Sequence, residues 1–315
     1  MANYVTISAL GPTNVQDPDP PEGQEAVDRM IRFWQEQLDQ VLYDRPDLIV
    51  VPEVCDRYAR HSREQRKAYY EVRGDQVRDF FAETARKHHC HVAYSADREV
   101  SDGVWANSTQ ILSREGSVLG VYNKNHPTIG EIEDDGTRAG TAAPLIECDF
   151  GRVACAICFD LNFDELRLRY AEARPDLIVF CSMYHGGLMQ RYWAYSCRAH
   201  FVGAIHGLPC AIISPVGEII ARGTNYFHFV TARVNLDCVV AHLDGNWRGL
   251  RGAQEKYGPK VRVFDPGLLA SVLIASETDE FTAVDVAREF EIELLDPYFQ
   301  RARGVRDRPD VLLHD

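Results

Sequence analysis

The chain has 315 residues, 45% of them apolar, and a formal charge of -13 from 34 basic and 47 acidic side chains. So acidic a chain is not expected to partner nucleic acid or an anionic membrane. No apolar run is long enough to span a bilayer, no basic stretch leads into an apolar one at the N-terminus, and the nine cysteines fall at irregular spacing rather than in a disulfide framework, so a cytoplasmic protein is expected.

Residues 5–10 predict a first strand, and residues 11–23, rich in proline and aspartate, a loop. Val27, Met30, Ile31, Trp34, Leu38, Val41 and Leu42 fall on one helical face; Pro46 stops that helix, and 47–51 reads as a strand. A long charged helix is predicted over 62–88, with Val72, Val77, Phe80, Phe81 and Ala85 inward. His88-His89-Cys90-His91 contains metal-ligating residue types, but Cys90 and His91 open a strand, where neighbours face opposite ways, so no metal is assigned. Strands follow over 91–95, 105–112 and 117–122, the last two joined by a hairpin turn at 113–116. Pro46-Asp47-Leu48-Ile49-Val50 recurs as Pro175-Asp176-Leu177-Ile178-Val179, and seven residues after each proline stand Glu53 and Ser182. Either two equivalent strands bring both residues to one rim, or two core strands merely share a favourable helix-to-strand turn. Residues 188–205 predict an aromatic buried helix with Tyr192, Trp193 and Phe201, and strands near 209–214, 218–222, 229–235 and 239–243 complete a second sheet. The tail from Asn246 is charged, with a helix near 282–295. Strands alternating with helices argue α/β layers.

The run Val153-Ala154-Cys155-Ala156-Ile157 is apolar and uncharged and predicts a buried strand; after Cys158 the chain turns charged, with Leu166, Tyr170 and Ala173 at helical spacing. Cys158 therefore falls at a sharp strand-to-helix junction, which lifts a side chain over the N–H groups opening the helix. Those donors favour a thiolate and can hold an oxyanion. Two other apolar strands also end in charge, 46–53 in Glu53 and 118–127 in Lys124. The other eight cysteines mostly read as small buried thiols.

Glu53, Lys124 and Cys158, in that order on three successive strand ends, resemble the catalytic triad of the carbon–nitrogen hydrolase (nitrilase) superfamily, over nearly all of residues 4–242. The resemblance implies an α/β fold, a four-layer α-β-β-α sandwich forming a single domain. The hydrolase domain would span 1–245, and 246–315 would be a C-terminal extension packing on the domain or on a neighbouring subunit. A homodimer or larger even oligomer is implied. So are Cys158 as nucleophile, Glu53 as proton shuttle, and Lys124 with the Phe159 N–H as oxyanion holders, with no metal or organic cofactor. Members often add a second glutamate after the lysine; Glu131 and Glu133 are both in range, and Glu131 is favoured because Asp134-Asp135-Gly136 looks like a solvated turn.

Acid-binding relatives carry an arginine shortly after the cysteine; Leu161-Asn162 stands there, and Arg167 and Arg169 are expected to face solvent. Phe159-Asp160 replaces the Trp-Glu usual in nitrile-cleaving relatives. The expected activity is therefore hydrolysis of a small carboxamide lacking an essential carboxylate, with Phe159, Met183, Tyr184 and His185 as pocket walls. A nitrilase or an N-carbamoyl (ureido) amidohydrolase is the alternative. A non-catalytic binding protein on the same fold is disfavoured by the intact triad.

Overall fold

A computed structural model of the chain describes residues 1–13 and 20–313; positions 14–19 of the predicted proline-rich loop lie outside the described residues. The chain divides into two compact units, Val5–Val234 and Met1–Tyr4 with Asn235–Asp315.

The larger unit is the α-β-β-α sandwich. Its first sheet contains β1 (Tyr4–Leu10), β2 (Leu48–Val50), β3 (His91–Ser101), β4 (Val104–Leu112), β5 (Val118–Asn123) and β12 (Phe229–Asn235), in the order β12-β1-β2-β3-β4-β5. The second contains β6 (Ile146–Cys148), β7 (Gly151–Ile157), β8 (Leu177–Ser182), β9 (His200–Ile205), β10 (Ala211–Ile213) and β11 (Ile219–Arg222), in the order β11-β10-β9-β8-β7-β6. Helix α1 (Gly23–Leu38) buries Ala26, Val27, Met30, Trp34 and Leu38 on the face its periodicity predicts. With Val77 and Phe81 from α3 (Gln76–His88), these side chains cover Ile49, Val92 and Tyr94 of the first sheet. Over the second sheet lie α5 (Asp164–Ala173) and α6 (Leu188–Cys197), with Tyr170 and Trp193 fully buried.

The two sheets repeat one another. β1-β2-β3-β4-β5 pair parallel, parallel, antiparallel, antiparallel, and so do β7-β8-β9-β10-β11. The recurring Pro-Asp-Leu-Ile-Val marks the equivalence. Asp47 accepts from Thr6 N through Oδ2 (2.9 Å), donates its own N–H to Thr6 O (2.7 Å), and its carbonyl accepts from His91 N (2.7 Å). Asp176 does the same with Arg152 N (2.7 Å), Arg152 O (2.9 Å) and His200 N (3.1 Å). The repeat is thus an architectural one, and Glu53 and Ser182 follow equivalent strands.

Five predicted elements differ. The helix expected over 62–88 is two: α2 (Arg63–Arg73), opened by a Ser62–Gln65 capping box, stops where Gly74 takes φ +45°, and α3 starts two residues on. The helix expected over 188–205 ends at Cys197, and β9 is a central strand; buried on both faces, His200–Ile205 has no alternation to distinguish it from a buried helix. Strand β12 joins the first sheet rather than the second. The strand predicted at 239–243 is β13 (Cys238–His242), which belongs to a third sheet, β13-β15-β14, with β14 (Val261–Phe264) and β15 (Ser271–Ser276).

That third sheet lies in the smaller unit and has its own core, in which Ala241, Val261, Val272 and Ile274 meet Leu250 of α7 (Trp247–Tyr257) and Val286 of α8 (Ala283–Glu289). The single helix expected near 282–295 is α8 followed by α9 (Leu295–Arg306).

Trp193 fills the space between α6 and the sheet and donates Nε1–H to Leu161 O (3.1 Å), the carbonyl just before Asn162. Trp193→Ala should destabilise the fold by about 3–5 kcal/mol, whereas Tyr192→Ala, on the exposed face, should cost under about 1 kcal/mol. Urea denaturation of both variants checks this, and equal losses would contradict the packing described.

Candidate active site

Glu53 follows β2 after Pro52, which cannot donate to a ladder and so ends the strand. The next residue, Val54, has φ +41°, a conformation a β-branched residue adopts only under constraint. The constraint is visible around it. Trp34 Nε1 donates to Cys55 O (3.0 Å), Arg73 pairs with buried Asp56 (2.8 Å), and Tyr58 donates to Ala26 O (2.8 Å).

Lys124 stands just past β5 and is 1% exposed. Its ammonium donates to Glu53 Oε1 (2.8 Å) and straddles both oxygens of Glu131 (3.0 and 2.8 Å). Burial works against its charge, but Glu53 and Glu131 outweigh burial and hold its pKa above the ordinary lysine value. Glu131 sits in the first turn of α4 (Ile129–Glu133), in a capping box where Thr128 N donates to its Oε2 (2.7 Å). Burial pushes its carboxyl up, and Lys124, by charge and hydrogen bond, brings it below the ordinary range. Glu133, two residues on, is exposed, so the cluster includes Glu131 and not Glu133.

Cys158 has φ +47° and opens a 3-10 turn, Cys158–Asn162; the α-helix begins only at Asp164. Buried Asp160 holds this elbow, accepting from Ile157 N (2.9 Å), Tyr122 OH (2.7 Å) and His126 N (2.8 Å). The thiol faces Glu53, and the Met183 N–H, which donates to Glu53 Oε2 (3.1 Å), also faces the sulfur. The expectation of a thiolate is corrected. Burial and the Glu53 charge push the thiol up to about 12, outweighing Lys124 and the Met183 N–H. The resting sulfur is protonated, with an acceptor in place for its proton.

Of the predicted walls, Phe159 is exposed and packs edge-on to Phe163, Met183 is partly exposed, and Tyr184 OH receives a bond from Asn162 Nδ2 (3.2 Å). His185 bonds within its own loop, accepting from Gly187 N (3.1 Å). Arg169 is exposed as expected, but Arg167 is buried, pairing with Asp164 (2.8 Å), bonding Ser196 and lying over the Tyr192 ring. His91, in the histidine-rich stretch, is buried and meets Asp149 (2.9 Å).

Asn107 was missed. From β4 its Nδ2 donates to Glu53 Oε1 (2.8 Å) and Glu131 Oε1 (3.0 Å), tying the two carboxylates together. The signal was available in the buried strand run Asn107-Ser108-Thr109-Gln110, where four polar residues in succession demand partners.

The carbon-nitrogen hydrolase family model matches residues 18–241, and the chain belongs to that family. It is similar to deaminated glutathione amidase of Mus musculus (25% identity, 41% of this chain and 48% of that protein) and of Rattus norvegicus (30% identity, 30% and 32%), so each match spans less than half of the relative. Among solved structures, its fold resembles a carbon-nitrogen hydrolase from Helicobacter pylori (TM-score 0.62, 15% identity, 75% of this chain and 90% of that one). It also resembles a double mutant of the amidase from Nesterenkonia sp. AN1 in complex with acrylamide (TM-score 0.62, 14% identity, 74% and 91%).

The electrostatics make a direct prediction. The thiolate ultraviolet absorbance lost in Cys158→Ala should titrate towards about 12, with the thiol protonated throughout the neutral range. Titration below the ordinary cysteine value would contradict the burial and Glu53 contact described.

Proposed function

We propose that the chain hydrolyses a small carboxamide to a carboxylate and ammonia through a thioester on Cys158. The observation that carries this reading is the buried Glu53–Lys124–Glu131 cluster in contact with the Cys158 thiol. The similarity to deaminated glutathione amidases and to an amidase bound to acrylamide supports the amide class.

In the proposed cycle Glu53 takes the thiol proton as sulfur attacks the carbonyl carbon, so no free thiolate is needed. The oxyanion forms beside Lys124 and the Phe159 N–H. Lys124 has three donors; a forked bond to Glu131 and one to Glu53 leave one for the oxyanion. Glu53 then protonates the nitrogen, ammonia leaves, and Glu53 deprotonates the water that hydrolyses the thioester. Glu131 and Asn107 hold Lys124 and Glu53 in register throughout. This cycle calls on no metal or organic cofactor. The nine cysteines, at irregular spacing in the chain, support a reducing, cytoplasmic setting.

Cys158→Ala should abolish ammonia release, and Cys155→Ala, on the buried strand, should leave it largely intact. Glu53→Gln and Lys124→Ala should each lower kcat by more than about a hundredfold. His126, His185 and His200 substitutions should do much less; an essential histidine would replace Glu53 as the base. A panel of amides, ureides and nitriles assayed for product decides the reaction class, and a nitrile as best substrate would overturn the amidase reading.

We also propose a homodimer or larger even oligomer, supported by exposed Leu168, Leu188 and Tyr192 on α5 and α6. A stable interface of this kind buries over roughly 2,000 Å². Light scattering that found an active monomer at micromolar concentration would refute it.

A further inference from the structure

Beside the cluster lies a cavity of about 440 Å³ whose walls include Arg57, Arg66, Thr128, Glu131, Asp135 and Met183. Its charges are mostly answered within the protein. Glu131 is met by Lys124, and Asp135 by Arg66 (3.0 Å). Arg57 is different. It is half-buried, and its one side-chain hydrogen bond runs from Nη2 to the thioether sulfur of Met183 (3.2 Å), a weak acceptor. Among the described residues it makes no ion pair. The carboxyl of nearby Asp97 is taken up by Tyr70 OH (2.6 Å). Burial works against the guanidinium's charge, but the charges of Asp97, Glu53 and Asp135 act on it through space and keep its pKa above the ordinary arginine value.

The backbone that carries Arg57 is anchored on both sides, because the Asp56 and Tyr58 side chains before and after it make buried bonds. Its contact, Met183, is the residue whose N–H faces Cys158 and Glu53. On the same loop, Tyr184 receives Asn162 Nδ2. The position where acid-binding relatives place a cation is therefore occupied by an amide. A cation instead reaches the neighbouring loop residue from the segment after β2.

We propose that Arg57 is a specificity-determining residue that binds a carboxylate on the substrate, making the acyl group of the amide an anionic one. This rests on the amidase reading above and revises the expectation, drawn from Asn162, that no carboxylate is needed. A partly desolvated guanidinium with unused donors matches a carboxylate in a forked, charge-assisted pair. Arg66, the other cation in the cavity wall, is already paired with Asp135.

The test uses malonamate, succinamate and glutaramate, each paired with the neutral amide in which a methyl replaces the carboxylate. Calorimetry on Cys158→Ala measures binding without turnover. The best acid should bind at least about tenfold more tightly than its neutral partner, and adding Arg57→Gln should erase that preference. Arg57→Lys, which keeps the charge and loses the fork, should retain part of it and guards against a misfolded glutamine variant. Arg63→Gln, at an exposed cation of the adjoining cavity that also borders Arg57, should leave the preference unchanged. No preference for any acid, or a preference that survives Arg57→Gln, overturns the proposal. Turnover by the Arg57-intact, Cys158-intact enzyme separates the two readings. An acid that binds through Arg57 but is not hydrolysed leaves the anchor standing and removes the amidase assignment.

Discussion

The site depends on one buried ammonium. A lysine 1% exposed would lose its proton in an apolar interior, because desolvation penalises the charged form. Lys124 keeps it because two carboxylates converge on it, one from the end of β2 and one from the first turn of α4. Two carboxylates this close would repel each other without the lysine, and Asn107 adds a donor to each. The arrangement is mutually conditional: removing one partner from a buried ion cluster leaves an uncompensated charge, typically costing about 3–5 kcal/mol. The same cluster sets the state of the nucleophile candidate. Burial and the Glu53 charge raise the Cys158 pKa, so the sulfur keeps its proton rather than forming a standing thiolate.

The scaffold that brings these groups together is a duplicated half-sandwich. In both copies an aspartate at the start of the second strand ties it to the first and third by the same three bonds. The helices before β2, β3, β8 and β9 end in Arg45, His89, Arg174 and Arg198, with φ between +50° and +56°. A non-glycine residue there costs on the order of 1 kcal/mol, and a cation at a helix C-terminus offsets part of it. The duplication is broken at the rim. Glu53 stands where the second half has Ser182. Cys158 follows β7, while Gly11 follows β1 at a point where a Cβ would lie 2.2 Å from Ile205 O. One half supplies the carboxylate and the other the thiol, and neither could do the proposed chemistry alone.

Much of this was legible before any coordinates. An apolar run ending in a reactive or charged side chain is a local pattern, and three such runs offered Glu53, Lys124 and Cys158 as candidates. The five-residue repeat pointed to equivalent strands. Gly74 was a visible helix breaker inside the 62–88 prediction, yet the charge pattern on either side concealed it. β9 was unreadable for a different reason: a strand buried on both faces loses the alternation that identifies strands.

By itself, the sequence determined the elements and the residue types at their ends, because strand patterning, proline stops and capping boxes act over a few residues. Only the tertiary structure decided which sheet each strand joins, since β12 pairs with β1 across more than two hundred residues of chain. It also puts Glu131, the glutamate the sequence favoured, into the cluster, through a helical turn that aims one carboxylate inward and leaves Glu133 in water. The protonated thiol, the bridging amide of Asn107 and the place of the Arg57 guanidinium beside Met183 were invisible. Each is a property of distance and desolvation between groups far apart in the chain, and neither quantity exists until the chain is folded.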